Sequence, residues 1–250
     1  MDEPDLLVTD EGPVRHLVLN RPHRLNAFTA EAYFGLAAAL EEAARDDSVG
    51  VVLLSGSGRA YCAGVDLYAL GEADGDEFSR GIKAVVLALA GFPKTIVAAV
   101  HGAIVGFGAT MLLHVDIVIS AEDARWRFPF SELGTAPEAG SSFMLQKIVG
   151  ERRAAELLLT SRWVSGAEAA QIDLATESVP AEQLMPRARE VAGQVLAVHA
   201  PANRGAKALL RRGWLQEIAD AIDRETMVAG QIGREIGGPG IARTPKQGPV

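Results

Sequence analysis

The sequence predicts an α/β protein with a mainly parallel sheet. Two continuous apolar runs, residues 50–55 and 95–100, have the length and composition of strands that are buried on both faces. Segments with helical periodicity lie between such runs, and this repeated order of strand and helix is typical of parallel sheets. A chain of 250 residues suffices for one sizeable core with an appendage, and less well for two independent domains.

Composition narrows the classes of function. The formal net charge of −8 argues against a nucleic-acid partner, which would need a broad basic footprint. The single cysteine, Cys62, cannot form an internal disulfide and suits a reducing compartment, so a cytoplasmic protein is expected. The first residues lack the basic and apolar regions of a signal peptide.

One uncharged stretch, residues 95–115, is long enough to cross a bilayer. Two histidines and three glycines interrupt it, and no basic cluster flanks it. A buried strand, a turn and a buried helix explain the stretch better than a membrane span. No membrane partner is therefore expected.

The first half of the chain alternates predicted strands and helices. Strands at 6–9 and 14–19 are joined by a turn-rich connection, and a polar loop follows at 20–28. Thr29 is the expected N-cap of a helix at 30–45, whose apolar positions recur at helical spacing. The next predicted elements are a strand at 50–55, a helix at 78–90, a strand at 95–100 and a helix at 108–114.

The second half of the chain ends in helices. A strand at 115–120 is expected before a proline-bracketed loop, and Ser165 begins a short helix with capping-box character. We predict a core with the functional site at 1–180 and a helical oligomerisation region at 181–250, whose glycine- and proline-rich end is loose. The remaining predicted elements are helices at 143–149 and 151–160, a strand at 176–179, and helices at 181–199, 202–213 and 215–230.

Two glycine-containing turns lie where a predicted strand gives way to a helix, at 63–66 and 102–108. Backbone amides at the start of a helix are free to bind an anion or a carbonyl oxygen. Two such helix starts that converge on one oxygen would form an oxyanion hole. Each turn also has a structural explanation, namely a tight turn with Gly64 and a capping Asp66, and helix–sheet packing through glycine.

Candidate acids and bases are few. The loop at 129–142 contains Glu132 and Glu138; spacing does not decide which is catalytic, and either is equally explained as a solvated or helix-capping acid. Arg24 suits a phosphate group, although its loop, taken alone, is better explained as a plain strand-to-helix connection.

Other titratable residues have structural interpretations. Cys62 is expected to be a small buried residue and not a nucleophile. His101 and His114 are expected to be buried structural histidines, and no metal-ligand pattern is present. Asp116 interrupts an apolar run and is expected to cap or pair inside the core. A solvated basic helical face is expected from Lys207, Arg211 and Arg212.

Four motifs, taken together and in this order, resemble the crotonase (enoyl-CoA hydratase/isomerase) superfamily. They are Asn-Arg-Pro-x-x-x-Asn-Ala-Phe at 20–28, Tyr-Cys-Ala-Gly-Val-Asp-Leu at 61–67, Ala-Val-His-Gly-Ala-x-x-Gly at 99–106 and Pro-Glu-Ala-Gly-Ser-Ser at 137–142. The resemblance covers roughly residues 5–215. It implies a ClpP-like spiral of ββα units, a C-terminal helical trimerisation region and an acyl-CoA thioester ligand.

The resemblance also implies site residues and partners. The oxyanion hole would consist of the amides of Val65 and Phe107. Coenzyme A is part of the substrate, so no separate cofactor is expected, and the expected assembly is a homotrimer or a dimer of trimers. Substrate or coenzyme A contacts are implied for Arg24, Ala63, Gly64, Asp66, Leu67, Gly106 and Phe130.

The sequence departs from the hydratase pattern of this superfamily. The two glutamates of a hydratase would fall at Thr110 and Phe130, and neither position is acidic. The residues at 106–108 and 129–142 are instead similar to peroxisomal-type Δ3,Δ2-enoyl-CoA isomerases, whose single catalytic glutamate would be Glu138. One carboxylate can take a proton from C2 and return it at C4, while two amides hold the charged thioester oxygen.

We therefore predict an acyl-CoA isomerase that moves a 3-enoyl double bond to the 2-position. Two other functions stay open. One is another single-acid crotonase reaction, such as thioester hydrolysis or decarboxylation. The other is a catalytically silent scaffold that binds acyl-CoA.

Overall fold

The computed structural model describes residues 4–72 and 75–236, which have the predicted α/β architecture. The predicted loose end, 237–250, lies outside the described residues. The strands are β1 (Leu6–Glu11), β2 (Val14–Leu19), β3 (Val51–Gly56), β4 (Thr95–Val100), β5 (Ala103–Val105), β6 (Ile117–Ala121), β7 (Arg125–Arg127), β8 (Val164–Ser165) and β9 (Glu177–Val179). The α-helices are α1 (Ala30–Arg45), α2 (Leu67–Glu72), α3 (Gly75–Ala90), α4 (Phe107–Thr110), α5 (Phe130–Leu133), α6 (Ser141–Val149), α7 (Glu151–Thr160), α8 (Gly166–Gln171), α9 (Leu184–Leu196), α10 (Ala200–Leu210) and α11 (Trp214–Ile236).

The main sheet has six strands in the order β1-β2-β3-β4-β6-β9. β1 and β2 form an antiparallel hairpin, and every later pair of neighbours is parallel. All six residues of β4 and the first five of β3 are buried, which explains why both strands are continuous apolar runs. Because β3 and β4 are parallel neighbours, the turns that follow them begin at the same edge of the sheet.

A second, smaller sheet has the order β5-β7-β8 and gives the chain its spiral course. After β4 the chain enters β5 and then α4; after β6 it enters β7 and then α5. After β3 the equivalent position is a single residue, Cys62, in an isolated parallel bridge with Ile104 of β5. Successive turns of the chain thus repeat a ββα unit.

Helix α1 has the bounds and the cap that the sequence predicts. The Thr29 hydroxyl accepts a hydrogen bond from the amide of Ala32 at 3.2 Å. The apolar stripe of α1 is buried, and its Tyr33 ring packs on Phe28 and Phe107, with ring centroids 4.8 and 4.7 Å away. This aromatic cluster joins α1 to the start of α4.

The C-terminal helices pack on the core. Helix α9 contacts β3, β4 and β6, and α11 contacts α3 and α6. Helix α11 extends to Ile236, six residues beyond the predicted end at 230. Its buried side chains, Ile218, Ala221, Ile222 and Glu225, recur at helical spacing and face the body of the protein.

The late basic face is not solvated as expected, because two of its members are bound to Asp116. The Lys207 ammonium lies 2.6 Å from Asp116 Oδ2, and the Arg211 guanidinium lies 2.8 Å from Asp116 Oδ1. Lys207 also donates to the carbonyl of Lys94 at 2.7 Å and is itself buried. Asp116 therefore pairs inside the core, as predicted, and anchors α10 to the main sheet.

Replacing Asp116 by Ala is expected to lower the free energy of unfolding by about 3–5 kcal/mol, because two half-buried or buried cations lose their partner. Urea unfolding at fixed protein concentration measures the change. The control is Asp220→Ala, which removes only an exposed hydrogen bond with Gln216 and should cost less than about 1 kcal/mol. Equal losses in the two variants would contradict the anchoring role.

No helix within 4–72 and 75–236 is long and apolar enough to cross a membrane. The uncharged stretch at 95–115 instead contains β4, β5, α4 and a 3-10 helix, Met111–His114. The predicted helix at 108–114 therefore begins one residue earlier than expected and tightens after its first turn.

Candidate active site

A cavity of about 820 Å³ lies where the turns after β3 and β5 meet the loop after β7 and helix α11. This volume is within the range of small-molecule sites. A second cavity of about 440 Å³, between β1 and α1, contains none of the predicted site residues in its wall. Eight of the ten predicted site residues line the larger cavity: Ala63, Gly64, Val65, Leu67, Gly106, Phe107, Phe130 and Glu138.

The first turn leaves the amide of Val65 free. Phe28 makes both hydrogen bonds of a parallel bridge here, donating to the Gly64 carbonyl at 2.8 Å and accepting from the Asp66 amide at 2.9 Å. In such a bridge the residue between the two that bond to Phe28, here Val65, directs its own N–H away from Phe28. Within the described residues, the Val65 amide has no protein acceptor.

The second turn presents the amide of Phe107 at the start of α4. Gly106 has a φ of 54° and a ψ of −121°, a conformation that glycine adopts readily. Its own amide is bound to the Arg127 carbonyl at 3.0 Å, which continues the pairing of β5 with β7. The next amide, that of Phe107, has no protein acceptor among the described residues.

The two turns touch each other through glycine. Gly64 has a φ of 98°, and a β-carbon added there would lie 2.8 Å from the Val105 carbonyl oxygen and 3.4 Å from the Phe107 nitrogen. A β-carbon on Gly106 would lie 3.9 Å from the α-carbon of Gly64. Only the absence of a side chain at position 64 allows this approach, which brings the Val65 and Phe107 amides to one part of the cavity wall.

The loop that carries Glu138 is held by its backbone. Ala139 and Gly140 both have positive φ, 62° and 70°, so the chain reverses sharply before α6. His114 Nε2 lies 2.7 Å from the Ala139 carbonyl oxygen and donates to it. Glu225 of α11 accepts from the amides of Gly140 and Ser142, both at 2.7 Å.

The surroundings of Glu138 favour its protonated form. Burial raises the pKa of the Glu138 carboxyl to about 8, and repulsion by Glu225 adds to the shift. Within the described residues, no hydrogen bond or ion pair reaches this carboxylate. A half-buried carboxylate of raised pKa, without a partner in a cavity, is suited to accept and return a proton near neutral pH.

The other predicted buried groups near the site have structural roles. Burial raises the pKa of the Cys62 thiol to about 12, so it stays protonated, as expected of an inert buried residue. Burial lowers the pKa of His114 to about 4, so its ring is neutral and supports the loop. His101 is half-buried, not buried as expected, and its Nε2 contacts the Gly58 carbonyl at 2.9 Å.

Two predicted site residues lie outside the cavity wall. Asp66 is buried, accepts from the amides of Tyr68 and Ala69 at 3.1 and 3.3 Å, and pairs with Arg21. It therefore acts as the helix cap that the sequence offered as the alternative. Arg24 is exposed, with its guanidinium 5.2 Å from the centre of the Tyr68 ring.

One buried acid of the cavity wall, Glu225, is absent from the residues predicted from the sequence. It belongs to the region beyond residue 180, so the wall of the cavity includes residues of the predicted oligomerisation region. A signal for it exists in the sequence, because Glu225 is in register with the apolar residues Ile218, Ala221 and Ile222. An acid on the apolar stripe of a helix needs a buried partner.

Comparisons with known proteins establish the family of the chain. The family model for enoyl-CoA hydratase/isomerase matches residues 9–235, so the chain belongs to that family. 1,2-Epoxyphenylacetyl-CoA isomerase of Escherichia coli (strain K12) is 37% identical over 189 residues, 73% of this chain and 72% of that protein. Enoyl-CoA delta isomerase 2 of Rattus norvegicus is 37% identical over 181 residues, 70% of this chain and 46% of that protein.

The fold comparison leads to the same family. The crystal structure of an enoyl-CoA hydratase/isomerase from Pseudoalteromonas atlantica T6c matches with a TM-score of 0.86 at 32% identity and covers 92% of both chains. The predicted crotonase fold with its C-terminal helices is thereby confirmed. Proteins named as probable enoyl-CoA hydratases also match, so the chain is an enzyme of a family that contains both isomerases and hydratases.

Proposed function

We propose that the protein is an acyl-CoA isomerase that converts a 3-enoyl-CoA to the conjugated 2-enoyl-CoA. The Glu138 carboxylate removes a proton from C2; the C–H electron pair forms a C1–C2 double bond, and the carbonyl π electrons move to the thioester oxygen. The amides of Val65 and Phe107 donate to that oxygen while it is negative. Glu138 then returns the proton at C4, so substrate and product have the same atoms and no cofactor or water is consumed.

One observation carries the proposal. Within the described part of the chain, one carboxylate of raised pKa that has no hydrogen-bond or ion-pair partner shares a cavity with two backbone amides that have no protein acceptor. Phe130 lies in the wall at a position where a hydratase would have its second glutamate, so an apolar ring stands there in place of an acid. The relative named as an enoyl-CoA delta isomerase supports the same reaction.

Water addition is not expected, because it needs a second carboxylate that is free to activate water. Thr110 is fully buried, and its hydroxyl donates to the Phe107 carbonyl at 3.4 Å. Glu225 is a buried acid of the same wall, but both of its oxygens accept from backbone amides. Asp76, also in the wall, is exposed and is engaged in an interaction of its own. Glu132 is paired with Arg127.

The test is to incubate the protein with a 3-enoyl-CoA and follow the absorbance of the conjugated 2-enoyl thioester. Its appearance without release of free coenzyme A supports the proposal. Free coenzyme A would favour hydrolysis, and loss of the carboxyl carbon as carbon dioxide from a malonyl-type thioester would favour decarboxylation. Binding of acyl-CoA without any turnover would identify a silent scaffold.

The rate should depend on pH through Glu138. Its carboxyl must be ionised to remove a proton, and its pKa is raised to about 8. We expect kcat/KM to rise by about tenfold per pH unit below that pKa and to level off above it. A profile that is flat between pH 6 and 9 would contradict the assignment of Glu138 as the base.

We also propose an assembly and a substrate orientation. Several apolar side chains of α10 and α11 are exposed, including Leu209, Leu210 and Met227, at 73%, 75% and 58%. A second and third copy of the chain would cover them in a homotrimer or a dimer of trimers, which light scattering after gel filtration measures directly. The guanidinium of Arg24 is proposed to bind the phosphates of coenzyme A. The compartment is proposed to be the cytoplasm, because the single cysteine, Cys62, is a buried free thiol, which suits a reducing environment.

A further inference from the structure

Helix α11 supplies a carboxylate that accepts hydrogen bonds from backbone amides at the start of α6. Glu225 is 5% exposed, and its two oxygens accept from the Gly140 and Ser142 amides, both at 2.7 Å. Helix α6 has no cap of its own, since Gly140 occupies the N-cap position. A carboxylate at this place satisfies two amides that would otherwise lack acceptors and interacts favourably with the helix dipole.

The helix also packs directly against the turn that follows Glu138. A β-carbon on Gly140 would lie 3.2 Å from Ile218 Cγ2 and 3.7 Å from Ile222 Cγ1. Glu225 is one turn further along the same face of α11 and lines the same cavity as Glu138. The position of Glu138 therefore depends on a residue more than eighty positions away in the chain.

We propose that Glu225 is a positioning residue for Glu138, because its carboxylate holds the backbone of the Glu138 loop and places a second negative charge on the wall of the same cavity. This inference rests on the proposed role of Glu138 as the base. Glu225 itself does not touch the reacting atoms in this proposal, since both of its oxygens are bound to amides.

The charges around Glu138 and Glu225 determine in which direction the pKa of Glu138 changes when Glu225 is replaced. Burial and, after it, repulsion by Glu225 raise the pKa of Glu138. Burial also raises the pKa of Glu225, while its hydrogen bonds from Ser142 and the Gly140 amide oppose that shift. The other titratable or charged groups that act on either acid or line the cavity are Tyr33, Cys62, Asp76, Arg127, Glu132 and Arg224. All of these remain when Glu225 alone is changed.

The experiment is to record the pH profile of isomerisation for Glu225→Gln. The neutral amide removes the repulsion, so the rise in kcat/KM should move to lower pH by roughly one unit. Its NH₂ group cannot accept from the second backbone amide, so the plateau kcat should fall roughly tenfold. A lower plateau with an unmoved pH profile would reduce Glu225 to a structural residue and overturn the proposal.

An infrared titration tests whether Glu225 changes the pKa of Glu138, and it does so even if the wild-type protein has no isomerase activity. The protonated carboxyl band of Glu138 is identified by its absence in Glu138→Gln, and its pKa is then compared between wild type and Glu225→Gln. A fall in that pKa supports the proposal, and an unchanged value overturns it. Failure of the proposed function is recognised separately, as a wild-type protein that does not turn over 3-enoyl-CoA.

The control variant is Glu217→Gln, which removes the same charge from an exposed position on α11. It should leave both the Glu138 titration and the pH profile unchanged. If Glu225→Gln does not fold, Glu225→Asp is titrated instead. The aspartate side chain is one methylene shorter, so its carboxylate lies farther from the Glu138 loop, and a smaller fall in the pKa of Glu138 is expected. No fall at all would overturn the proposal.

Discussion

Glu138→Gln is expected to lower kcat/KM for a 3-enoyl-CoA by at least about 10³-fold. Glutamine has nearly the shape of glutamate but cannot accept a proton from C2 or deliver one to C4. Because one carboxylate performs both transfers in the proposed mechanism, its loss removes both steps at once. No second free carboxylate is available in the described wall of the cavity, where the other buried acid, Glu225, is bound to two amides.

The measurement is the formation of conjugated 2-enoyl thioester, with acyl-CoA affinity determined in parallel by calorimetry. The affinity should stay within a few-fold of the wild-type value, since the Val65 and Phe107 amides are unchanged. Glu182→Gln, at an exposed position in a 3-10 helix, is the matched charge control and should keep full activity. Retention of more than about a tenth of the wild-type turnover in Glu138→Gln would remove Glu138 from the mechanism.

The same variant should be more stable than the wild type at pH values above 4.5, and increasingly so up to about pH 8. The pKa of Glu138 lies at about 8 in the folded protein, above its ordinary value of 4.5. Folding therefore favours the protonated form, and this acid makes the folded state progressively less favourable as the pH rises from 4.5 to 8. The stability gain of Glu138→Gln should grow over that pH range. A variant that is inactive but more stable than the wild type has lost its catalytic group and not its fold.

Elements with their own local signals were predictable from the sequence. Helix α1 was predicted with its bounds because Thr29 caps it and its apolar residues recur at helical spacing. Strands β2 and β4 were predicted with their bounds because one alternates inward and outward residues and the other is buried throughout. In each case the local pattern agrees with the burial that the fold requires.

Short elements that depend on partners were missed. Strands β5, β7 and β8 have two or three residues each, and they exist through pairing with one another and not through local propensity. Helix α5 is a single turn that ends at Leu133, with Gly134 as its C-cap, within residues whose prolines and glycines indicate a loop. No pattern with a period of two or 3.6 residues can develop over such lengths.

The site was predictable where a motif lies on one segment and not where two segments meet. Glu138 and the glycines at 64 and 106 belong to compact motifs, and all three line the cavity. Glu225 contributes through hydrogen bonds across 83 or more positions, and Lys207 is buried through a partner 91 positions away. Such pairings cannot be predicted from the local spacing of residues. From the sequence alone, Glu225 and Lys207 therefore each resemble surface residues.

Gly64→Ala is expected to lower kcat/KM by about 10²–10³-fold, the usual effect of losing an oxyanion donor. The backbone at Gly64 has a φ of 98°, which side chains rarely adopt, and the new β-carbon would lie 2.8 Å from the Val105 carbonyl oxygen. A backbone atom cannot rotate away as a flexible side chain can. The turns at 64 and 106 must therefore separate, which moves the Val65 amide relative to the Phe107 amide.

The control for Gly64→Ala isolates this steric effect from backbone strain. Gly150, between α6 and α7, also has a positive φ, 79°, but a β-carbon there would meet nothing within 4 Å. With a ψ of 157°, Gly150 has a backbone conformation that essentially only glycine adopts, so Gly150→Ala should cost about 1–3 kcal/mol of stability from backbone strain alone and leave kcat unchanged. Gly64→Ala should instead lose kcat more than acyl-CoA affinity, because the two amides bind the oxygen most strongly when it is charged. Equal kcat in the two variants would show that the approach of the two turns is unimportant for catalysis.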